Sequence, residues 1–317
     1  MTAPTGVLLM TFGSAVTADD VPAYLASVRG GSQAPEDVVA EFRRRYERIG
    51  RSPLIDITST QATELQRELD RRHGAGSLRV AVGMQHLQPR IADAADDLVR
   101  GGARRIHAIV LAPQYSPIIL AGYERAVEEV RRRHPDVEIS IAGAWHLTPA
   151  WIESLAERLD QALAVLPDVQ RDSAPIIFTA HSLPRRVVDR DPGYITQLTD
   201  TARAVARRAG LAEHRWQFAY QSAGHTPEEW LKPDVKEVLP ALREQGVSDV
   251  VVVPLQFLAD HLEILYDIDV AARDEADSAG IRMHRIAMPN TSPTFVGALA
   301  DVVERETGAR AASTTGS

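Results

Sequence analysis

The 317-residue chain contains no cysteine. Without thiols there can be no disulfide framework, thiolate zinc site, thiol nucleophile or cysteine-ligated iron–sulfur cluster. Lysine is nearly absent as well, confined to Lys232 and Lys236, so almost every cation is an arginine. The formal net charge is −8, the opposite of the basic balance expected of a nucleic-acid binder. The chain lacks the run of about 18 apolar residues that a spanning helix needs, and no membrane insertion is expected. Met1-Thr-Ala-Pro-Thr-Gly6 lacks the charged region and cleavage site of a signal peptide, so a cytoplasmic location is expected.

Several catalytic signatures are missing too. There is no G-x-G-x-x-G, and the turn after the first apolar run holds a single glycine, Gly13. The P-loop, the G-x-S-x-G nucleophile elbow and H-E-x-x-H are likewise absent, which argues against a P-loop NTPase, a standard α/β-hydrolase and a zincin.

What is present is a rhythm of short apolar runs and amphipathic stretches. Strands are predicted at 6–12, 78–83, 106–112, 137–142, 175–179, 216–220, 250–253 and 281–286. Helices are predicted between them, at 35–50, 58–72, 90–100, 118–133, 151–166, 192–210, 233–244, 258–276 and 294–307, with Thr17 capping an earlier one. Strands alternating with helices give parallel sheets covered on both faces. The expectation is an α/β fold of two similar doubly wound, Rossmann-like domains with four-stranded parallel sheets and a ligand cleft between them. The domains are expected at 1–145 and 146–293, with helix 294–307 packing back on the first and a polar, disordered tail at 308–317.

Two strand ends carry chemistry. Asp249 to Asp269 opens with four valines, stops at Pro254 and continues as a helical pattern in which Glu263 and Asp267 stand four apart, on one face. Asp260 and His261 lie beside them. Alone, this is also the acidic first turn of a solvated helix. Ile176-Ile-Phe-Thr-Ala-His-Ser-Leu-Pro184 repeats the layout, with His181 at the break. The basic cluster Arg43, Arg44, Arg45, Arg48 and Arg51 is interleaved with acids; it fits either a charge-laced helix surface or an anchor for anionic groups. His86, His181, Glu263, Asp267, Tyr46, Tyr123, Tyr220, Trp230 and Phe12 combine nitrogen and oxygen metal ligands with aromatic surface, which suggests a flat ligand and a metal.

The order and spacing of several motifs resemble the ferrochelatase family, especially its soluble bacterial coproporphyrin III branch, over about residues 5–307. They are Thr179-Ala-His-Ser-Leu-Pro184, Tyr220-Gln-Ser222 with Thr226-Pro227, Trp230-Leu-Lys-Pro-Asp234, Ala259-Asp-His-Leu-Glu-Ile-Leu-Tyr-Asp267, Arg45-Tyr46 with Ser52-Pro-Leu54, and Ala112-Pro-Gln-Tyr-Ser116. The resemblance implies a lyase of heme biosynthesis that forms nitrogen–metal bonds. It would insert Fe²⁺ into a porphyrin lying in the cleft, with coproporphyrin III preferred to protoporphyrin IX. It implies His181 and Glu263 as the catalytic pair, and His181, Glu263 and Asp267 as the metal-handling residues. It implies Phe12, Arg29, Arg45, Tyr46, Ser52, Tyr123 and Trp230 as the substrate-binding set. Fe²⁺ would be a substrate, with no tightly bound cofactor, and a monomer is expected.

Plainer readings stand beside these. Phe12 also fits a core residue, Tyr46 and Tyr123 fit amphipathic helices, Trp230 fits loop packing, and His86 fits a satisfied core histidine better than a site role. The sequence departs from the family pattern at Ala271 (a third acid), Gln256 (a small residue), Arg190-Asp-Pro-Gly-Tyr194, Lys232 and Gly50-Arg-Ser52. These departures keep open a chelatase for another metal or tetrapyrrole. A tetrapyrrole carrier without turnover is the alternative from another class. A nucleotide-binding enzyme rests on fold analogy alone.

Overall fold

The structure is a computed structural model that describes residues 3–224 and 227–308. Thr226 and the predicted tail beyond Gly308 lie outside these residues. The chain forms two compact units: residues through Ala150 joined by those from Asn290 onward, and Trp151–Pro289.

The first unit is built on β1 (Thr5–Thr11), β2 (Leu78–Met84), β3 (Arg105–Val110) and β4 (Glu138–Ile141). They form one parallel sheet in the order β2-β1-β3-β4. Central strand β1 is buried from Gly6 to Thr11, which is why it reads as an unbroken apolar run rather than an alternation. Leu8 and Met10, with Ile106, Ala108 and Val110, face α4 (Ile91–Arg100) and α5 (Pro117–Arg133) in one core cluster. Val7 and Leu9, equally buried, point to the opposite face. Helices α1 (Val21–Val28), α2 (Glu36–Ile49) and α3 (Leu54–His73) connect β1 to β2. The last helix, α12 (Pro293–Thr307), packs on α3. Arg72 binds Asp301 at 2.7 Å and Glu304 at 3.1 Å, and His73 Nε2 lies 2.9 Å from Glu304.

The second unit repeats the plan. After α6 (Pro149–Ala164) and the short α7 (Asp168–Ser173), β5 (Ile176–His181), β6 (Trp216–Gln221), β7 (Asp249–Pro254) and β8 (Arg282–Arg285) form a parallel sheet in the order β6-β5-β7-β8. Val250 to Val253 are fully buried, each contributing about 1.5–3 kcal/mol. The short α8 (Arg185–Arg190) and α9 (Gly193–Arg208) connect β5 to β6, and α10 (Val235–Glu244) connects β6 to β7. Both sheets share one strand order, so each has a topological switch point, between β1 and β3 and between β5 and β7. Open α/β sheets bind ligands outside the carboxyl ends of strands at such points.

The main departure from expectation is the segment after β7. A single α-helix was predicted over 258–276. Instead Glu263–Ala272 is a π-helix, followed by α11 (Arg273–Ala279). The residues buried from it, Ile264, Ile268 and Ala272, are spaced by four. Of these, Ile268 and Ala272 join the core cluster that holds Val250 and Val252 of β7. Helix α3 also begins four residues earlier than predicted.

Candidate active site

In the second unit, β5 delivers His181 to the switch point. The H-S-L-P residues beyond it are held by their backbone. Ser182 N–H donates to the Gln221 carbonyl at 2.7 Å, and Ser182 Oγ donates to the Leu231 carbonyl at 3.0 Å. Leu231 N–H donates to the Leu183 carbonyl at 3.0 Å, and Arg185 N–H to that of Glu229 at 2.8 Å. Two residues earlier on β5, Thr179 Oγ1 donates to Gln221 Oε1 at 2.7 Å. This explains why a serine follows the histidine: buried, with its N–H and its hydroxyl both donating, it locks the turn that aims the ring.

His181 Nδ1 bonds the carbonyl oxygen of Ser182. A carbonyl only accepts, so Nδ1 carries the proton and the neutral ring keeps its lone pair on Nε2. That Nε2 stands 3.7 Å from Glu263 Oε2, with the two side chains 29% and 34% exposed. The distance is too long for a hydrogen bond, and Glu263 Oε2 itself is buried without a hydrogen-bond partner. A lone pair and a carboxylate oxygen thus face one gap. The pair can take up a proton, forming an imidazolium beside a carboxylate, or hold a divalent cation transiently by nitrogen and oxygen.

The surrounding residues fix this pair. Gln256 Oε1 accepts from His181 N–H at 2.9 Å, and Gln256 Nε2 donates to the Tyr194 hydroxyl. Burial pushes the Tyr194 hydroxyl well above its ordinary pKa, with the charges of Tyr220, Glu263 and Asp191 adding to it. Asp267, one π-turn beyond Glu263, accepts from Ser222 Oγ, and Ser222 has a left-handed φ of 60°. Arg285 grips Asp269 with two bonds of 2.8 and 2.7 Å and reaches Asp260 at 3.3 Å, tying the loop before the π-helix to its far end. His261 Nδ1 lies 3.0 Å from the Ala259 carbonyl, and its ring packs on Phe257 at 4.7 Å.

Of the three expected metal-handling residues, His181 and Glu263 come together, while Asp267 accepts from Ser222. Among the described residues no group of three or more His, Asp or Glu is close enough to hold a metal ion. Trp230 packs on its loop: it pairs with Pro184 across a bridge, and a Cβ at Gly224 would come within 2.5 Å of its ring.

In the first unit the expected substrate-binding residues separate into groups. Phe12, just past β1, is 42% exposed, so it is not a core residue. Its ring meets His86 at 4.5 Å, edge to face. His86 Nδ1 lies 3.0 Å from Ser27 Oγ, and burial, then Arg90, holds its pKa below the usual value. Gly13 between Phe12 and Ser14 has a φ of +87°, and a Cβ there would lie 2.1 Å from the His86 carbonyl oxygen, so the turn requires glycine. Tyr46 and Ser52 are buried and meet at Ser14, whose Oγ is 2.9 Å from the Tyr46 hydroxyl and 3.1 Å from Ser52 Oγ. Arg45 donates to Glu41 at 3.0 Å and lies 5.4 Å from the Phe42 ring centroid. Arg29, at the end of α1, is exposed. Tyr123 is buried in the core with Leu120 and Val127, away from the Ser14 group.

Sequence reasoning did not find Ser14, Tyr194, Gln221, Ser222 or Arg285 as site residues. Each acts through a partner distant in sequence; Tyr194 and Gln256 had stood out only as departures from the family pattern, and Gln221 and Ser222 only as parts of a motif.

Two parallel sheets of identical strand order, with a proton- and metal-competent pair at one switch point, define a chelatase-like α/β protein. The fold is similar to that of SirB from Bacillus subtilis solved with Fe³⁺, with a TM-score of 0.60 at 13% identity over 96% of both chains. The ferrochelatase family model matches residues 4–307. A ferrochelatase of Deinococcus radiodurans is 37% identical over 305 residues, 96% of both proteins. The coproporphyrin III ferrochelatase of Geobacillus kaustophilus is 35% identical over 94% of both, and that of Bacillus subtilis is 33% identical over 96% of this chain and 98% of that protein. The chain belongs to the ferrochelatase family. It is an enzyme that inserts ferrous iron into a porphyrin. Among the described residues no helix is long and apolar enough to cross a membrane.

Proposed function

We propose that this enzyme inserts Fe²⁺ into coproporphyrin III, acting as a cytoplasmic monomer, with His181 and Glu263 as the catalytic residues. The observation that carries the mechanism is the unpartnered Glu263 oxygen facing His181 Nε2 across 3.7 Å. Insertion makes four nitrogen–metal bonds and releases two pyrrole N–H protons, so the site must accept protons and let the metal go. A neutral imidazole beside a carboxylate does both, whereas a closed cage of ligands would retain the metal. Asp267, one turn along the π-helix, extends the acidic surface along which Fe²⁺ is handed to the pair.

The macrocycle rests against Phe12, Tyr46 and Ser52, and its propionates pair with Arg29 and Arg45. Coproporphyrin is supported by the two relatives of that name, which align over nearly the whole chain. The test is an anaerobic absorbance assay with Fe²⁺ and each porphyrin in turn. Loss of the free-base bands over many turnovers, faster with coproporphyrin III than with protoporphyrin IX, is expected. Equal or reversed rates would overturn the substrate, and a porphyrin-bound spectrum without metallation would overturn turnover itself. Arg29→Ala and Arg45→Ala should each raise KM for coproporphyrin III about tenfold, and less for protoporphyrin IX, which has fewer propionates.

A further inference from the structure

His181 is held from behind by a side chain that has no contact with its reactive nitrogen. Strand β5 pairs with β7 as far as Thr179 and Pro254, and the last backbone bond between them runs from Leu255 N–H to the Thr179 carbonyl at 3.0 Å. The next donor on that edge of β5 is His181 N–H. It is met by Gln256 Oε1 at 2.9 Å, a side chain continuing the ladder where the backbone turns away. The amide orientation is dictated by chemistry. The N–H can only donate, so the atom facing it is the oxygen, and Nε2 is left to donate to the Tyr194 hydroxyl oxygen. Tyr194 is fully buried in the first turn of α9, so the far end of this bridge is anchored in packed structure. Gln256 therefore ties the last residue of β5, the loop after β7 and helix α9 at one point.

We propose that Gln256 is a positioning residue for the insertion step, holding His181 so that Nε2 keeps its 3.7 Å distance from Glu263. The inference rests on the role given to His181 above. Its reach is specific: the porphyrin surface is untouched, so loss of Gln256 should slow the chemical step and leave porphyrin binding intact.

The experiment compares Gln256→Leu, Gln256→Glu and Tyr194→Phe with His181→Ala, measuring kcat with Fe²⁺ and porphyrin Kd by fluorescence quenching without metal. Gln256→Leu should lower kcat about tenfold with Kd changed less than about twofold. Gln256→Glu should stay within about threefold of the wild-type kcat. One of its oxygens still accepts from His181 N–H, and the Tyr194 hydroxyl can turn to donate to the other. Tyr194→Phe, which removes only the far anchor, should lower kcat about threefold at unchanged Kd. Full kcat in both Gln256→Leu and Tyr194→Phe would overturn the proposal. So would equal losses in Gln256→Leu and Gln256→Glu, or a fall in binding that matches the fall in kcat. If His181→Ala keeps the wild-type rate, the role of His181 fails instead.

Discussion

His181 Nε2 and Glu263 Oε2 face each other across 3.7 Å although 82 positions separate them in the numbering, because parallel strands β5 and β7 lie side by side. Neither atom is spent on the other. The Nδ1 side of the ring is committed to the Ser182 carbonyl, and the carboxylate oxygen is buried and unpartnered.

His181→Ala and Glu263→Gln should therefore each lower kcat by about 10² or more, the usual contribution of a positioned acid–base group. Porphyrin Kd, read by fluorescence quenching, should change by less than about threefold, because neither change touches the arginines proposed to hold the propionates. If either variant turned over at the wild-type rate, the pair would not be the catalytic centre.

Arg285 should matter for stability. It is 13% exposed, bonded twice to Asp269 and close to Asp260. Replacing it with Leu strands two partly buried carboxylates and should cost about 2–3 kcal/mol, reduced from the fully buried case because water reaches both acids. Urea unfolding would measure this. Arg285→Leu combined with Asp269→Leu should recover part of the loss; a double variant less stable than the single one would contradict the account.

Asp249 sets an acid limit. It is 3% exposed, and Arg282, then Ser248 and His284, hold its carboxyl at about 2, against an ordinary 3.8. The folded pKa is depressed, so the stabilisation is complete above about pH 4 and is lost as pH falls through 2. It amounts to about 1–2 kcal/mol, since Arg282 is largely exposed and screened. Asp249→Asn should lower stability near pH 7 by about this much and flatten the decline below pH 4. Parallel acid-unfolding curves for the two proteins would refute it.

Ser14 should tune substrate binding through its neighbours. It bridges Tyr46 and Ser52, both buried. Ser14→Ala should cost about 1 kcal/mol in stability and raise porphyrin KM several-fold, with kcat held. An unchanged KM would show that the hydroxyl cluster serves packing alone.

The sequence by itself determined the alternation of strands and helices, and with it two four-stranded parallel sheets. Short runs of β-branched residues such as Val250 to Val253, stopped by Pro254, read as strands buried on both faces. It also determined the family and the two strand ends that matter, because His181 and Glu263 sit in contiguous motifs whose spacing is local. It could not show which polar groups meet across strands. Ser14 reaches Tyr46 over 32 positions and Gln256 reaches His181 over 75, and only the packed sheet brings such residues within hydrogen-bond distance. The π-helix was hidden for a related reason. Apolar residues four apart suit an α-helix almost as well, and the choice between the two fell to the core of β7, which takes up Ile268 and Ala272 on one face while the wider turns carry Glu263 and Asp267 along another.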